Sequence, residues 1–277
     1  MEKYDVLIIG GGAAGISAAK EAKGRVLLVD RGAKLGGVLL QCTHRGFGNN
    51  LTGPEYTSGL LEDFPARVTL ATETTVLSIT KEKTALLAGK KGSYRVAFEY
   101  LILATGCREI PAGALPIAGC RPEGIYTAGQ MQALMNLHGI LPEGPVVILG
   151  GGDLGLIMAK QLAEKEISVT IVEKQEACTA MARNQKVLQE YPIGVYTGDT
   201  VIKTHGEKTL SGCTTKNGAY IPCKTLLIAV GLTPERELVE SLENPPWLHI
   251  CGNCNRIHLM VESVVNEGKM AAQAACK

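Results

Sequence analysis

Net charge is almost absent from this sequence: 28 Lys and Arg against 27 Asp and Glu leave +1. That balance gives no electrostatic footprint for nucleic acid or an anionic membrane. A long hydrophobic run is missing too. The apolar run Val6–Ile9, reached directly from Met1-Glu2-Lys3, is far too short to span a bilayer and does not resemble a signal peptide, so none is expected. Aromatics are few, with three Phe, one Trp and eight Tyr. Apolar residues at 45% and charged ones at 20% still describe an ordinary folded chain, not a disordered one. Glycine is what the chain has in abundance, 33 in all, without the three-residue period of collagen. So many glycines point to the close backbone approaches that dinucleotide-binding turns require. Nine cysteines, an odd number, fit mostly free thiols in a reducing, cytoplasmic compartment. At roughly 150 residues per domain, the length corresponds to about two domains.

The sequence states one plan twice. Asp5–Ile9 reads as a buried strand, Gly10-Gly11-Gly12-Ala13-Ala14-Gly15 as a turn, Ile16–Ala22 as a helix and Arg25–Val29 as a second strand ending at Asp30. The second copy runs through Val146–Leu149, the turn Gly150-Gly151-Gly152-Asp153-Leu154-Gly155, Leu156–Glu164 and Ser168–Val172, ending at Glu173. Short strands of alternating polarity follow in both, over 67–103 and 195–228, closing on Ala104-Thr105-Gly106 and Ala229-Val230-Gly231. In such a unit the first glycine permits a tight strand-to-helix turn, the second lets the backbone approach a pyrophosphate, and the third lets helix and strand pack closely. The helix N-terminus offers its unpaired N–H groups to the phosphates. An acid about 20 residues onward accepts hydrogen bonds from a ribose diol. Asp30 lies 20 residues after Gly10 and Glu173 lies 23 after Gly150. A lone GxGxxG means little; two in matched contexts are a strong signal.

On these residues, together with Gly231-Leu232-Thr233-Pro234, the chain resembles the two-dinucleotide-binding-domain flavoproteins, the pyridine nucleotide–disulfide oxidoreductases. The resemblance implies an α/β fold of two Rossmann-like three-layer domains, each with a small β-meander, the NAD domain inserted in the FAD domain. The expected limits are 1–112 and 236–277 for the FAD domain and 113–235 for the NAD(P)H domain. FAD would be held by Gly10, Gly12, Ala14, Gly15, Asp30, Arg31, Gly36, Gly37, Thr105, Gly106, Gly252 and Asn253. Gly150, Gly152, Asp153, Leu154, Gly155, Glu173 and Gly231 would hold the nicotinamide nucleotide. Glu173 should pair with a ribose and repel a 2′-phosphate, so NAD(H) is expected over NADP(H), with Lys174 blunting the repulsion.

A narrower set is Leu35-Gly36-Gly37, Gln41–Gly48, Leu51–Tyr56, Gly124–Gly129 and Cys251-Gly252-Asn253. It is similar to the flavoprotein subunit found with bacterial anaerobic glycerol-3-phosphate dehydrogenases, and more distantly to subunits of opine oxidase and hydrogen cyanide synthase. This implies, as partner, a second flavoprotein dehydrogenase subunit, or else a small-molecule or quinone acceptor; a homodimer is left open. Asn253 stands where the family usually has an Asp on the ribityl chain. Of the His-x-His-Asp that the nearer relatives carry after this box, only His258 is kept.

Cysteine placement argues against the usual disulfide reductase. After Leu-Gly-Gly, a partner for Cys42 five residues on would fall at Phe47, and Ile125–Asn136 holds no cysteine. Cys42, His44 and His258 remain the candidates for chemistry near the flavin. Cys251-x-x-Cys254 is the one CxxC and has no second half, so no metal site is expected. Packing, dithiol exchange and half a metal site stay open for it, with a following helix N-terminus expected to lower the thiol pKa. Leu259–Ala275 reads as a helix that packs its small residues on the first glycine unit. If it aims its N-terminus at the flavin pyrimidine, its dipole would favour negative charge there. The expected reaction is hydride transfer between NAD(H) and FAD, with domain rotation bringing the rings together and electrons leaving to an acceptor. The alternative is an accessory nucleotide-binding subunit without its own NADH turnover. From the length, no large C-terminal interface domain is expected.

Overall fold

A computed structural model describes residues 1–276 and divides the chain into two compact units. The first comprises Met1–Arg108 and the segment from Thr233 onward, the second Glu109–Leu232. The chain leaves and re-enters the first unit a few residues before the expected 112 and 235.

The first unit is built on a sheet whose order is Val68–Ala71, Val26–Val29, Glu2–Ile9, Gly92–Leu103, Thr84–Gly89 and Thr75–Ile79. Its first four strands are parallel, and the last two fold back antiparallel as a meander. Gly92–Leu103 belongs to both parts: Val96–Leu103 pairs with the N-terminal strand, and its beginning pairs with the meander. Alternation along Val6–Ile9 builds two cores. Val6 and Ile8 face the helical layer, and Leu7 and Ile9 face the meander layer. All are buried on a strand paired on both sides, which is why the stretch reads as a continuous apolar run. Burying each such side chain contributes about 1.5–3 kcal/mol.

The second unit repeats this arrangement. Its parallel sheet runs Ile125–Thr127, Thr225–Ile228, Val146–Leu149, Val169–Val172 and Gly194–Tyr196. Val146 and Ile148 face the helices Ala128–His138 and Asp153–Ala163. Val147 and Leu149 face a second sheet of Ala118–Gly119, Val201–His205, Gly212–Thr215 and Tyr220–Pro222. The expected α/β architecture of parallel sheets is the observed one.

The returning segment completes the first unit. Leu248–Ile250 adds a parallel strand beside Leu101–Leu103, and Trp247 packs on Phe98 at 5.5 Å between centroids. The helix Val261–Ala275 then lies against Ala13–Glu21. Their contact is backbone to backbone, because a Cβ on Gly268 would stand 2.2 Å from the Ala14 carbonyl oxygen. Among the described residues, no helix is long and apolar enough to cross a membrane.

Candidate functional site

Each unit carries a strand–glycine turn–helix whose three glycines have different surroundings. In the first, a Cβ on Gly10 would lie 2.3 Å from the Ala104 carbonyl oxygen, and one on Gly15 would lie 1.7 Å from the Gly10 oxygen. Those two glycines are demanded by the protein's own backbone. A Cβ on Gly12 would meet nothing within 4 Å. The second turn repeats the pattern. A Cβ on Gly150 would fall 2.4 Å from Ala229 O and one on Gly155 2.1 Å from Gly150 O. Gly152 has only the Thr179 hydroxyl at 4.0 Å. The middle glycine of each turn is therefore not demanded by the fold and faces open space.

Both middle glycines are helix N-caps, and neither helix has a side-chain cap. Ala13–Glu21 has no acid in its first turn, so its first N–H groups and their partial positive charge are left for an anion. Asp153 does occupy the first turn of the second helix, but its carboxylate is turned onto a loop. Its Oδ1 accepts Met181 N–H at 2.9 Å and Asn184 Nδ2 at 2.6 Å. Leu154 packs against the second unit's helical core.

The acids that close the two motifs act alike. Asp30 accepts Gly11 N–H at 2.5 Å through one oxygen and Gly32 N–H at 2.6 Å through the other. Glu173, buried, accepts Gly151 N–H at 2.5 Å and Gln175 N–H at 2.8 Å. Each carboxylate is fixed beside its glycine turn, with lone pairs remaining for a diol.

Of the other expected flavin residues, Gly36, Gly37 and Gly252 meet the glycine turn and its helix start. Gly36 N–H bonds Gly11 O at 2.7 Å, and a Cβ on Gly37 would sit 3.2 Å from Gly12 Cα. Thr105 donates its hydroxyl to Glu235 O, and Gly106 O accepts Glu235 N–H at 3.0 Å. Gly252, at φ +70°, brings the returning chain onto Ala14: a Cβ there would be 2.9 Å from the Ala14 Cβ. Asn253 Oδ1 accepts His258 N–H at 3.0 Å. Arg31 is exposed. The residues thus gather at the carboxyl ends of the parallel strands, where ligands of such sheets bind. The bare cradle at Gly12, the uncapped helix and the fixed carboxylate suit an adenosine pyrophosphate such as the one in FAD. Gly152 and Glu173 offer the same set in the second unit, where Gly231 at φ +148° follows the closing strand.

The three candidates for chemistry are held differently. Cys42 is buried, donates to Val38 O at 3.3 Å, and burial pushes its thiol up to about 12. It stays protonated at neutral pH, so the thiolate route has no support in this geometry. His44 lies 5.1 Å from the Phe47 ring. His258 Nε2 is 3.0 Å from Glu267 Oε1.

The expectation of a lowered thiol pKa is overturned at Cys251. Cys251 and Cys254 are buried on opposite faces of the first sheet, with both sulfurs directed at the Leu103 carbonyl, at 3.7 and 3.2 Å. Burial raises the Cys251 thiol, with Cys254 and Glu267 adding to it. The following helix begins at Val261, seven residues after Cys254. Its first turn carries Glu262, which accepts Gly48 N–H at 3.1 Å and works against the dipole there.

Glu267 was not marked by sequence reasoning, although three donors and the His258 ring surround it. A signal existed in Gly268, since a glycine inside an alanine-rich helix marks a close approach that pins its neighbours. Among the described residues, no cluster suited to a metal is present.

Residues 4–245 match the pyridine nucleotide-disulphide oxidoreductase family. The chain belongs to that family. Its members are oxidoreductases that use FAD and NAD(P)H. The chain is similar to an opine oxidase subunit of Agrobacterium tumefaciens (strain Ach5), 35% identical over 191 residues, 63% of this chain and 37% of that one. It is similar to a bilirubin reductase of Mediterraneibacter gnavus (strain CC55_001C), 28% identical over 98% of this chain and 41% of that one. Among solved structures, it superposes on a Lactococcus lactis thioredoxin reductase with a TM-score of 0.76 at 22% identity. That match covers 98% of this chain and 97% of the other, and at this identity it speaks for the fold alone. The chain spans about two-fifths of the length of the curated relatives it matches.

Proposed function

We propose that the protein is an FAD-dependent oxidoreductase exchanging a hydride between NAD(H) and its flavin, then passing electrons to an acceptor or a partner flavoprotein. The observation that carries this is the pair of bare middle glycines, Gly12 and Gly152, each beside a fixed carboxylate. When bound, the flavin supplies a two-electron centre for the nicotinamide hydride. The first unit's residues would hold it: Gly12 and the first N–H groups of Ala13–Glu21 at the pyrophosphate, Asp30 at the adenosine ribose, Gly252 and Asn253 at the ribityl side. In the second unit, Gly152 and Glu173 would hold NAD(H), and the Glu173 charge would disfavour a 2′-phosphate. His44 and His258 remain proposed proton carriers. A cytoplasmic setting, on the number of thiols, belongs to the same proposal.

The reading excludes the usual disulfide reductase chemistry. Support comes from Phe47 at the position a second cysteine would need and from the protonated, buried Cys42. A partner dehydrogenase, of the glycerol-3-phosphate type that the 35–56 motifs resemble, is proposed as one outlet for the electrons. The accessory reading draws on one observation, the likeness to a protein named as one subunit of an opine oxidase. Anaerobic titration with NADH separates the two. Bleaching of the visible flavin band supports the enzyme; tight nucleotide binding without bleaching overturns it.

A further inference from the structure

One carboxylate holds the whole loop between the last strand and the last helix of the first unit. Glu267 accepts Gly252 N–H at 2.8 Å, Arg256 Nε at 3.0 Å and Asn255 Nδ2 at 3.4 Å, and pairs with His258 Nε2 at 3.0 Å. All four partners come from one seven-residue stretch. The Glu267 side chain is 16% exposed and that of His258 8%, whereas Arg256 is largely in solvent. The sheltered contacts are therefore those to Gly252 and His258, and the Arg256 contact is screened. Burial opposes ionisation of Glu267, but His258, the Gly252 N–H and Asn255 together hold it below the usual carboxylate range.

The loop is fixed at both ends. Gly252 is seated on Ala14, in the first turn of the glycine-turn helix. His258 Nε2 stands 3.0 Å from Glu267 Oε1, an ion pair when the imidazole is protonated, and its backbone N–H donates to Asn253 Oδ1. A backbone N–H only donates, so the Asn253 amide must turn its oxygen to His258 and its NH2 away. The orientation of Asn253 thus depends on His258, and that of His258 on Glu267.

We propose that Glu267 is a positioning residue for the bound flavin: it sets the Gly252–His258 loop, and through His258 the Asn253 amide, for the ribityl side of the cofactor. This rests on the reading of the first unit as the flavin unit. The adenosine and pyrophosphate side depends instead on Gly12 and Asp30, which Glu267 does not touch.

The test titrates the full chain, stripped of nucleotide, with FAD and separately with ADP, for wild type and Glu267→Gln. The substitution keeps shape and removes charge. FAD affinity should fall about 10-fold or more, as expected for losing hydrogen bonds to a charged acceptor. ADP affinity should stay within about twofold, and the visible band of the bound flavin should shift. Equal losses of FAD and ADP would make Glu267 a purely structural residue and overturn the proposal, as would unchanged FAD binding. A wild type that binds ADP and not FAD would overturn the flavin reading itself, and the proposal with it. If Glu267→Gln does not fold, His258→Gln removes one sheltered partner and should give a smaller loss of the same FAD-selective kind. Unchanged FAD affinity in that variant would equally overturn the proposal.

Discussion

The carboxylate of Glu173 accepts the backbone N–H of Gly151 at 2.5 Å, across 22 residues of sequence, and so stands at the edge of the second glycine turn. Its other oxygen takes Gln175 N–H at 2.8 Å. A buried carboxylate anchored at both oxygens cannot swing away from a 2′-phosphate, so it should discriminate by charge. Glu173→Gln keeps the shape and removes the charge. Initial rates with each nucleotide are expected to show wild type favouring NADH and the variant losing about 10-fold or more of that preference. An unchanged ratio would remove Glu173 from nucleotide selection.

The glycine turns allow fold and binding to be separated by one methyl group. Gly15→Ala places a Cβ 1.7 Å from Gly10 O, a backbone atom that cannot give way, and Gly155→Ala does the same at 2.1 Å. Both variants should be insoluble or strongly destabilised, by several kcal/mol (about 3 or more). Gly12→Ala adds a methyl that meets no protein atom. It should be isolated without FAD and melt at the temperature of FAD-free wild type. A yellow Gly12→Ala protein would place the pyrophosphate elsewhere.

The duplicated plan was legible because it rests on short-range chemistry. A buried parallel strand reads as an apolar run, a glycine turn must have its glycines, and the acid must fall one strand later. The Asp30 and Glu173 contacts follow from that spacing. What could not be read were contacts set by the returning segment. Gly268 marks a close approach in the helix, but nothing near Glu267 in sequence names Gly252, Asn255, Arg256 and His258 as its partners, since those contacts exist only after the helix docks on Ala14. The CxxC stayed open for the same reason. Its spacing allowed packing, dithiol exchange or half a metal site, and adding Leu248–Ile250 to the sheet buries both thiols in two different cores, as packing residues.

Cys251 and Cys254 should therefore be inert. Neither Cys251→Ser nor Cys254→Ser is expected to change NADH-dependent turnover by more than about twofold, while each should lower stability by about 1–3 kcal/mol through a hydroxyl in an apolar site. Denaturant melts and steady-state rates check this together. Loss of turnover with unchanged stability would restore the dithiol reading.

Cys42 makes an alkaline prediction. Its thiol is raised by burial from the ordinary 9.0 to about 12. Well below pH 9 it is protonated both folded and unfolded, so it contributes no pH dependence. Between about 9 and 12 the unfolded chain releases the proton and the folded one keeps it, so stability falls as pH rises. The slope approaches about 1.4 kcal/mol per pH unit for this one group. Cys42→Ala removes that component, giving a shallower decline of melting temperature above pH 9 than wild type at the cost of a small cavity. The wild-type protein should also resist alkylation at Cys42 at pH 8, where almost no thiolate exists. Rapid modification of Cys42 there, read by mass spectrometry on the native protein, would show that the thiol is exposed and ionised after all, and would return it to the groups able to act beside the flavin.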